Sequence, residues 1–118
     1  MTQPDALLEL RERLREFAAE RDWEQFHSPK NLAIALSVEA AELLEHFQWL
    51  TEDASRRLTA AELAQVREEL ADVLLYLVRL ADRLGVDLID AAKDKIALNA
   101  RKYPVGAARG SSRKYTDL

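Results

Sequence analysis

The chain has 118 residues, of which 48% are hydrophobic and 32% charged, with three glycines, three prolines and no cysteine. This length suits a single domain over residues 1–118, the composition favours a helical globule over a disordered or turn-rich β chain, and the lack of cysteine excludes a disulfide framework, a thiolate metal site and a cysteine nucleophile. A formal charge of −4 with a pI near 5.2 weighs against a nucleic-acid binder, which needs a basic surface to displace counterions from phosphates.

Four helices are expected. The first spans about Asp5 to Glu20, where Leu7, Leu10, Leu14, Phe17 and Ala18 recur at helical spacing. Asp22 to His27 reads as a connector. Ser28-Pro29 opens the second helix, because serine can cap free N–H groups and proline at the first helical position loses nothing by lacking one. That helix is expected to reach about Leu50, followed by a polar loop from Thr51 to Leu58. Thr59-Ala60-Ala61-Glu62 is a capping box that starts the third helix, which runs to Gly85, a natural left-handed stop. Asp87 caps a fourth helix that runs to about Lys102 and is halted before Pro104. Val105 to Leu118, with Gly106, Gly110 and paired serines, is expected to be an extended tail, ordered only where it packs. The result is an all-α, four-helix-bundle-type fold, which by itself decides no function. No apolar run nears the roughly 20 residues needed to span a bilayer, and Met1-Thr2-Gln3-Pro4-Asp5 lacks the basic and apolar regions of a signal peptide. A cytoplasmic protein with no membrane partner is expected.

The carboxylates carry the chemistry. Glu39-Ala40-Ala41-Glu42 on the second helix and Glu69-Leu70-Ala71-Asp72 on the third each place two acids one turn apart on one side of a helix. Antiparallel packing at about 1.5 Å per residue sets the two pairs at the same height. Four facing carboxylates repel unless a hard divalent cation lies between them, and an all-oxygen set suits Mg²⁺ or Mn²⁺. A di-iron carboxylate bundle would need Glu-x-x-His on two helices, and Glu24-Gln25-Phe26-His27 supplies one such string, in a connector. His46, four residues after Glu42, could orient a ligand or lie partly exposed on its helix. Trp23 and Trp49 suit a pocket that stacks a base, or two core aromatics. Lys93, Lys95, Arg101, Lys102, Arg109, Arg113 and Lys114 make the C-terminal part basic, either as a solvated face or as a phosphate site.

Paired E-x-x-E and E-x-x-D on successive helices resemble the MazG-like all-α nucleoside triphosphate pyrophosphatases. Phe17 to His27, Phe47-Gln48-Trp49, Glu68 to Leu77 and Ser111 to Thr116 are similar to the dCTP pyrophosphatase branch, so the resemblance covers nearly the whole chain. It implies Glu39, Glu42, Glu69 and Asp72 as Mg²⁺ ligands, with Glu39 or Glu42 activating a water. It also implies Asn99, Lys102 and Tyr103 at the nucleotide, Lys102, Arg113 and Lys114 at the phosphates, and Trp23, Trp49 and Tyr76 around base and sugar. In relatives that prefer dCTP a histidine stands where this chain has Leu14. The implied reaction converts a (deoxy)nucleoside triphosphate, dCTP or a modified dCTP, to the monophosphate and pyrophosphate. The implied assembly is a homotetramer, in keeping with the apolar spread of Leu70, Val73, Leu74, Leu75, Leu77, Val78 and Leu80 on the third helix. The alternative is a non-catalytic helical interaction module whose acidic stripe binds a metal or a basic partner.

Overall fold

A computed structural model describes residues 5–118, so the leader reading of Met1–Pro4 lies outside the described residues. Among those described there are helices and turns and no strand. The helices are α1 (Ala6–Glu20), α2 (Pro29–Glu45), α3 (Glu52–Ser55), α4 (Ala60–Leu84), α5 (Leu88–Lys102) and α6 (Val105–Ala108), with 3-10 turns at Glu24–Phe26 and Tyr115–Asp117. The all-α expectation holds.

Local chemistry sets most of the boundaries. Ser28 Oγ accepts from the Asn31 N–H at 3.1 Å, with Pro29 at the first helical position. The Thr59 and Glu62 side chains each accept from the other's backbone N–H, at 3.2 and 2.9 Å, which closes the capping box. Asp87 Oδ1 caps α5 through the Asp90 N–H at 3.0 Å. Gly85 ends α4 at φ 70°, a left-handed conformation that carries no steric cost without a Cβ.

Two expectations need correction. The second helix stops at Glu45, short of Leu50. The His46 and Phe47 N–H groups bond to the Leu43 and Leu44 carbonyls, tightening the last turn, and Thr51 then caps the separate α3 through the Ala54 N–H at 3.1 Å. A run read as polar loop therefore holds a helical turn. The tail is not extended throughout: α6 and the Tyr115–Asp117 turn lie within it.

The chain divides into two compact units, one ending at Gly85 and one running from Val86 to Leu118. In the first, α4 packs against both α2 and α1. His27 and the start of α2 meet the end of α4 at Arg79 and Arg83, whereas Glu39 and His46 meet it earlier, at Glu69, so α2 and α4 run antiparallel. The buried apolar side chains are Ala18, Leu32, Val66, Val78 and Ala81. Many others stay exposed, including Ile34, Val38 and Leu44 on α2 and Leu63, Leu70, Leu74 and Leu77 on α4. In the second unit no residue is buried. Its contacts are surface ones: Tyr103 and Tyr115 meet edge to face at 5.9 Å, and Lys102 Nζ lies 4.9 Å from the Tyr115 ring centre.

Candidate metal centre and adjoining cavity

Antiparallel packing of α2 on α4 brings three carboxylates together. Glu39, Glu69 and Asp72 each offer one oxygen, and these oxygens lie within 4.8 Å of one another. Glu39 Oε2 and Glu69 Oε2 are buried without a hydrogen-bond partner. Burial pushes the Glu39 carboxyl up to about 7, helped by a hydrogen bond with Glu42 and by repulsion from Glu42, Asp72 and Glu69. His46 Nε2 stands 3.7 Å from Glu69 Oε1. Orphaned buried oxygens in an all-carboxylate set fit a hard divalent cation, which would satisfy them and offset their repulsion. Glu42 lies outside the three-oxygen set, although it is joined to Glu39.

Asp72 also lines a cavity of about 160 Å³. Leu14, Phe17 and Ala18 from α1, Leu75, Tyr76 and Arg79 from α4, and Trp23 and His27 from the connector complete its walls. The connector turns inward because Asp22 adopts φ 54° and the Trp23 N–H bonds to the Ala18 carbonyl at 2.9 Å. Aspartate tolerates this left-handed region better than most residues. Trp23 meets Phe17 edge-on at 5.7 Å and His27 at 6.4 Å.

Behind the cavity lies a polar network. Arg79, 4% exposed, donates from Nε to His27 Nδ1 at 3.1 Å, and its Nη1 reaches Asp82 Oδ2 at 3.4 Å. Arg15 grips Asp82 with two further bonds, at 2.8 and 2.5 Å. Burial holds the His27 imidazolium pKa below its usual value, and the charges of Arg79 and Arg83 lower it further.

Residues 34–118 match the model of the MazG-like family. The chain belongs to that family. It is 53% identical to dCTP pyrophosphatase 1 of Homo sapiens and 52% identical to that of Mus musculus, each alignment covering 98% of this chain and 69% of the relative. A solved pyrophosphatase from Archaeoglobus fulgidus superposes with a TM-score of 0.82 at 43% identity, covering 88% of this chain and 97% of that one. The MazG-like match starts within α2, so both acidic motifs fall inside it, while the α1 and connector side of the cavity is covered by the longer alignments.

In this MazG-like chain the sequence-named residues are distributed unevenly. Trp23 and Tyr76 share the cavity, with Leu14 on its wall. Trp49, 87% exposed in the turn after α2, is not among the lining residues, so the cavity gathers two of the three aromatic residues expected around base and sugar. Asn99 and Lys102 close α5, Tyr103 is its C-cap, and Arg113 and Lys114 precede the last turn, all in the second unit. His27 accepts a hydrogen bond from Arg79, and the carboxylate cluster contains no histidine, so the di-iron reading has no support. Sequence reasoning missed Arg79, His27 and Asp82 as one unit. The available signal was a charged residue on the stripe of Glu69, Asp72 and Tyr76, flanked by Val78 and Leu80.

Proposed function

We propose that this enzyme, a nucleoside triphosphate pyrophosphohydrolase, takes a pyrimidine deoxynucleoside triphosphate, dCTP or a 5-modified dCTP, and requires Mg²⁺ or Mn²⁺. The observation that carries the reading is the shared position of Asp72, which belongs at once to the carboxylate cluster and to the wall of an aromatic cavity. A base in the cavity would thus hold its phosphates near the acids. The cavity volume of about 160 Å³ supports a one-ring base, since cavities of about 150 Å³ admit a benzene-sized molecule. The names of the mammalian relatives point to the same substrate.

Glu39, Glu69 and Asp72 would hold the cation, with Glu42 completing or supporting the set. Bound there, the cation would neutralise charge on phosphate oxygens. Glu42, joined to Glu39 but outside the three-oxygen set, is the better placed of the two to take a proton from the attacking water. Attack forms one phosphorus–oxygen bond and breaks the bridge between the α and β phosphates, so that monophosphate and pyrophosphate leave. Trp23 and Tyr76 would face the base, Trp49 would serve it from outside the cavity, and Asn99, Lys102, Tyr103, Arg113 and Lys114 are the proposed nucleotide and phosphate contacts. The 118 residues are read as one catalytic domain working on cytoplasmic nucleotide pools, and the alternative of a non-catalytic module is set aside by the family.

The purified protein with dCTP and Mg²⁺ should release pyrophosphate, measured by a pyrophosphate-specific coupled assay, and EDTA should stop it. Orthophosphate as the first product, or undiminished turnover in EDTA, would refute the reading.

A homo-oligomer, specifically a tetramer, accompanies this proposal. Ile34 and Val38 on α2 and Leu63, Leu70, Leu74 and Leu77 on α4 are large apolar side chains left exposed on this chain, and such surface is what copies of a chain cover by assembling. Light scattering at micromolar concentration should give about four chain masses, and a stable monomer would contradict it.

A further inference from the structure

Among the described residues no lysine or arginine pairs with Glu39, Glu42, Glu69 or Asp72. The one nitrogen group at ion-pair distance from these acids is the His46 imidazole, whose Nε2 stands 3.7 Å from Glu69 Oε1. The other oxygen of the same carboxylate, Oε2, is buried and has no hydrogen-bond partner. Glu69 therefore has one oxygen beside a donor and one left for a cation.

This asymmetry follows from where α2 ends. His46 caps the helix, and its N–H bonds to the Leu43 carbonyl at 3.2 Å. The next two N–H groups, of Phe47 and Gln48, both bond to the Leu44 carbonyl at 2.9 Å. The tightened turn fixes the His46 backbone, and the part-buried ring reaches α4 one helical turn beyond Glu42. A glutamate's last torsion is broad and roughly two-fold, so an unanchored carboxylate must lose orientational freedom when it binds a cation. A donor facing one oxygen removes part of that cost beforehand, which is how groups behind the ligands of a metal commonly act. The 3.7 Å separation leaves no room for an intervening water, and a small rotation of the ring brings it within hydrogen-bond range.

We propose that His46 is a positioning residue of the metal centre: its imidazole holds Glu69 Oε1, so that Oε2 is presented to the cation, and it does not itself bind the ion. The inference rests on the reading of Glu39, Glu69 and Asp72 as a cation site, and it gives a role to a residue outside that set.

Mn²⁺ binding to the purified full chain, followed by electron paramagnetic resonance, tests this without turnover. His46→Leu should weaken binding by about tenfold to a hundredfold, the usual cost of losing a group behind the ligands. His46→Gln, whose amide keeps an N–H donor, should stay within about threefold of wild type. A ring that merely filled space at the end of α2 would not be replaced by an amide in this way. Bound Mn²⁺ in the wild type should show no hyperfine coupling to a directly bound imidazole nitrogen. Wild-type affinity in His46→Leu, a His46→Gln protein as weak as His46→Leu, or imidazole nitrogen coordinated to Mn²⁺ would each overturn the proposal. Should His46→Leu fail to fold, His46→Ala takes its place in the same comparison. A wild type that binds no Mn²⁺ brings down the metal centre and this inference together, whereas a wild type that binds it as tightly as His46→Leu brings down this inference alone.

Discussion

Asp72→Asn should lower turnover by at least about a hundredfold, the usual scale for removing a central electrostatic group. Asparagine keeps the size of the side chain and removes its charge, so the fold should survive while the carboxylate set loses one of its three anions. Glu39→Gln should have a comparable effect with a separate signature in pH. In the metal-free protein the Glu39 carboxyl is raised from 4.5 to about 7, so below neutrality a cation must displace its proton. Mg²⁺ affinity should therefore rise with pH up to about 7 and level off above it. The stability of the metal-free protein has the opposite trend. A raised carboxylate pKa means that the folded state holds a proton that the unfolded state releases, so this group's contribution is present below 4.5 and is lost as pH climbs through about 7. Calorimetric titration of Mg²⁺ at pH 6 and pH 8, with wild type and Glu39→Gln, would check the affinity, and urea unfolding of the metal-free proteins at the same two pH values would check the stability. More than a tenth of wild-type turnover in Asp72→Asn, or a Glu39→Gln variant that keeps the full pH slope of affinity, would contradict the assignment.

Asp82→Ala should destabilise the protein by about 3–5 kcal/mol, the range for removing one partner of a buried pair. The Asp82 side chain is 7% exposed and bonds to both Arg15 and Arg79, so its loss leaves the buried Arg79 charge with only the neutral His27 as partner. Arg15→Ala should cost much less, because Arg15 is 44% exposed and the surface side of such a pair is screened by water. The Arg15 hydrogen bonds hold the Asp82 carboxyl below its ordinary 3.8, against the opposing pull of burial. A depressed pKa gives stability that is present above 3.8 and disappears as pH falls through the folded-state value. The Asp82→Ala protein should thus lose less stability on acidification than wild type. Urea unfolding at pH 7 and pH 3 measures both differences, and a loss under 1 kcal/mol at pH 7 would show the network to be incidental.

What the sequence made legible was whatever depends on neighbours in the chain. Ser28, Thr59, Gly85 and Asp87 each act within one helical turn, and the helices begin and end with them. The acidic motifs were legible because a three-residue spacing and a short connection fix height as well as face, and Glu39 does meet Glu69 and Asp72. The end of α2 was hidden because His46 to Leu50 contain neither glycine nor proline and continue the apolar pattern. The network behind the cavity was hidden for a different reason. Arg15 and Asp82 are 67 positions apart, His27 and Arg79 are 52, and neither pairing has a local signature. Trp49 shows the opposite failure: its residue type suggested the cavity, but the turn that ends α2 carries it elsewhere.

The absence of any buried side chain after Val86 has a consequence for hydrogen exchange. A helix of about 15 residues is marginal in water unless tertiary packing supports it, and α5 has 15 residues. Its amides should open at a free energy well below that of the α4 amides around Val66 and Val78, so deuterium should enter residues 88–102 through local opening while α4 exchanges only on global unfolding. Slowed exchange in α5 at higher protein concentration would show that its order is supplied by other copies of the chain, making a single helix the reporter of assembly.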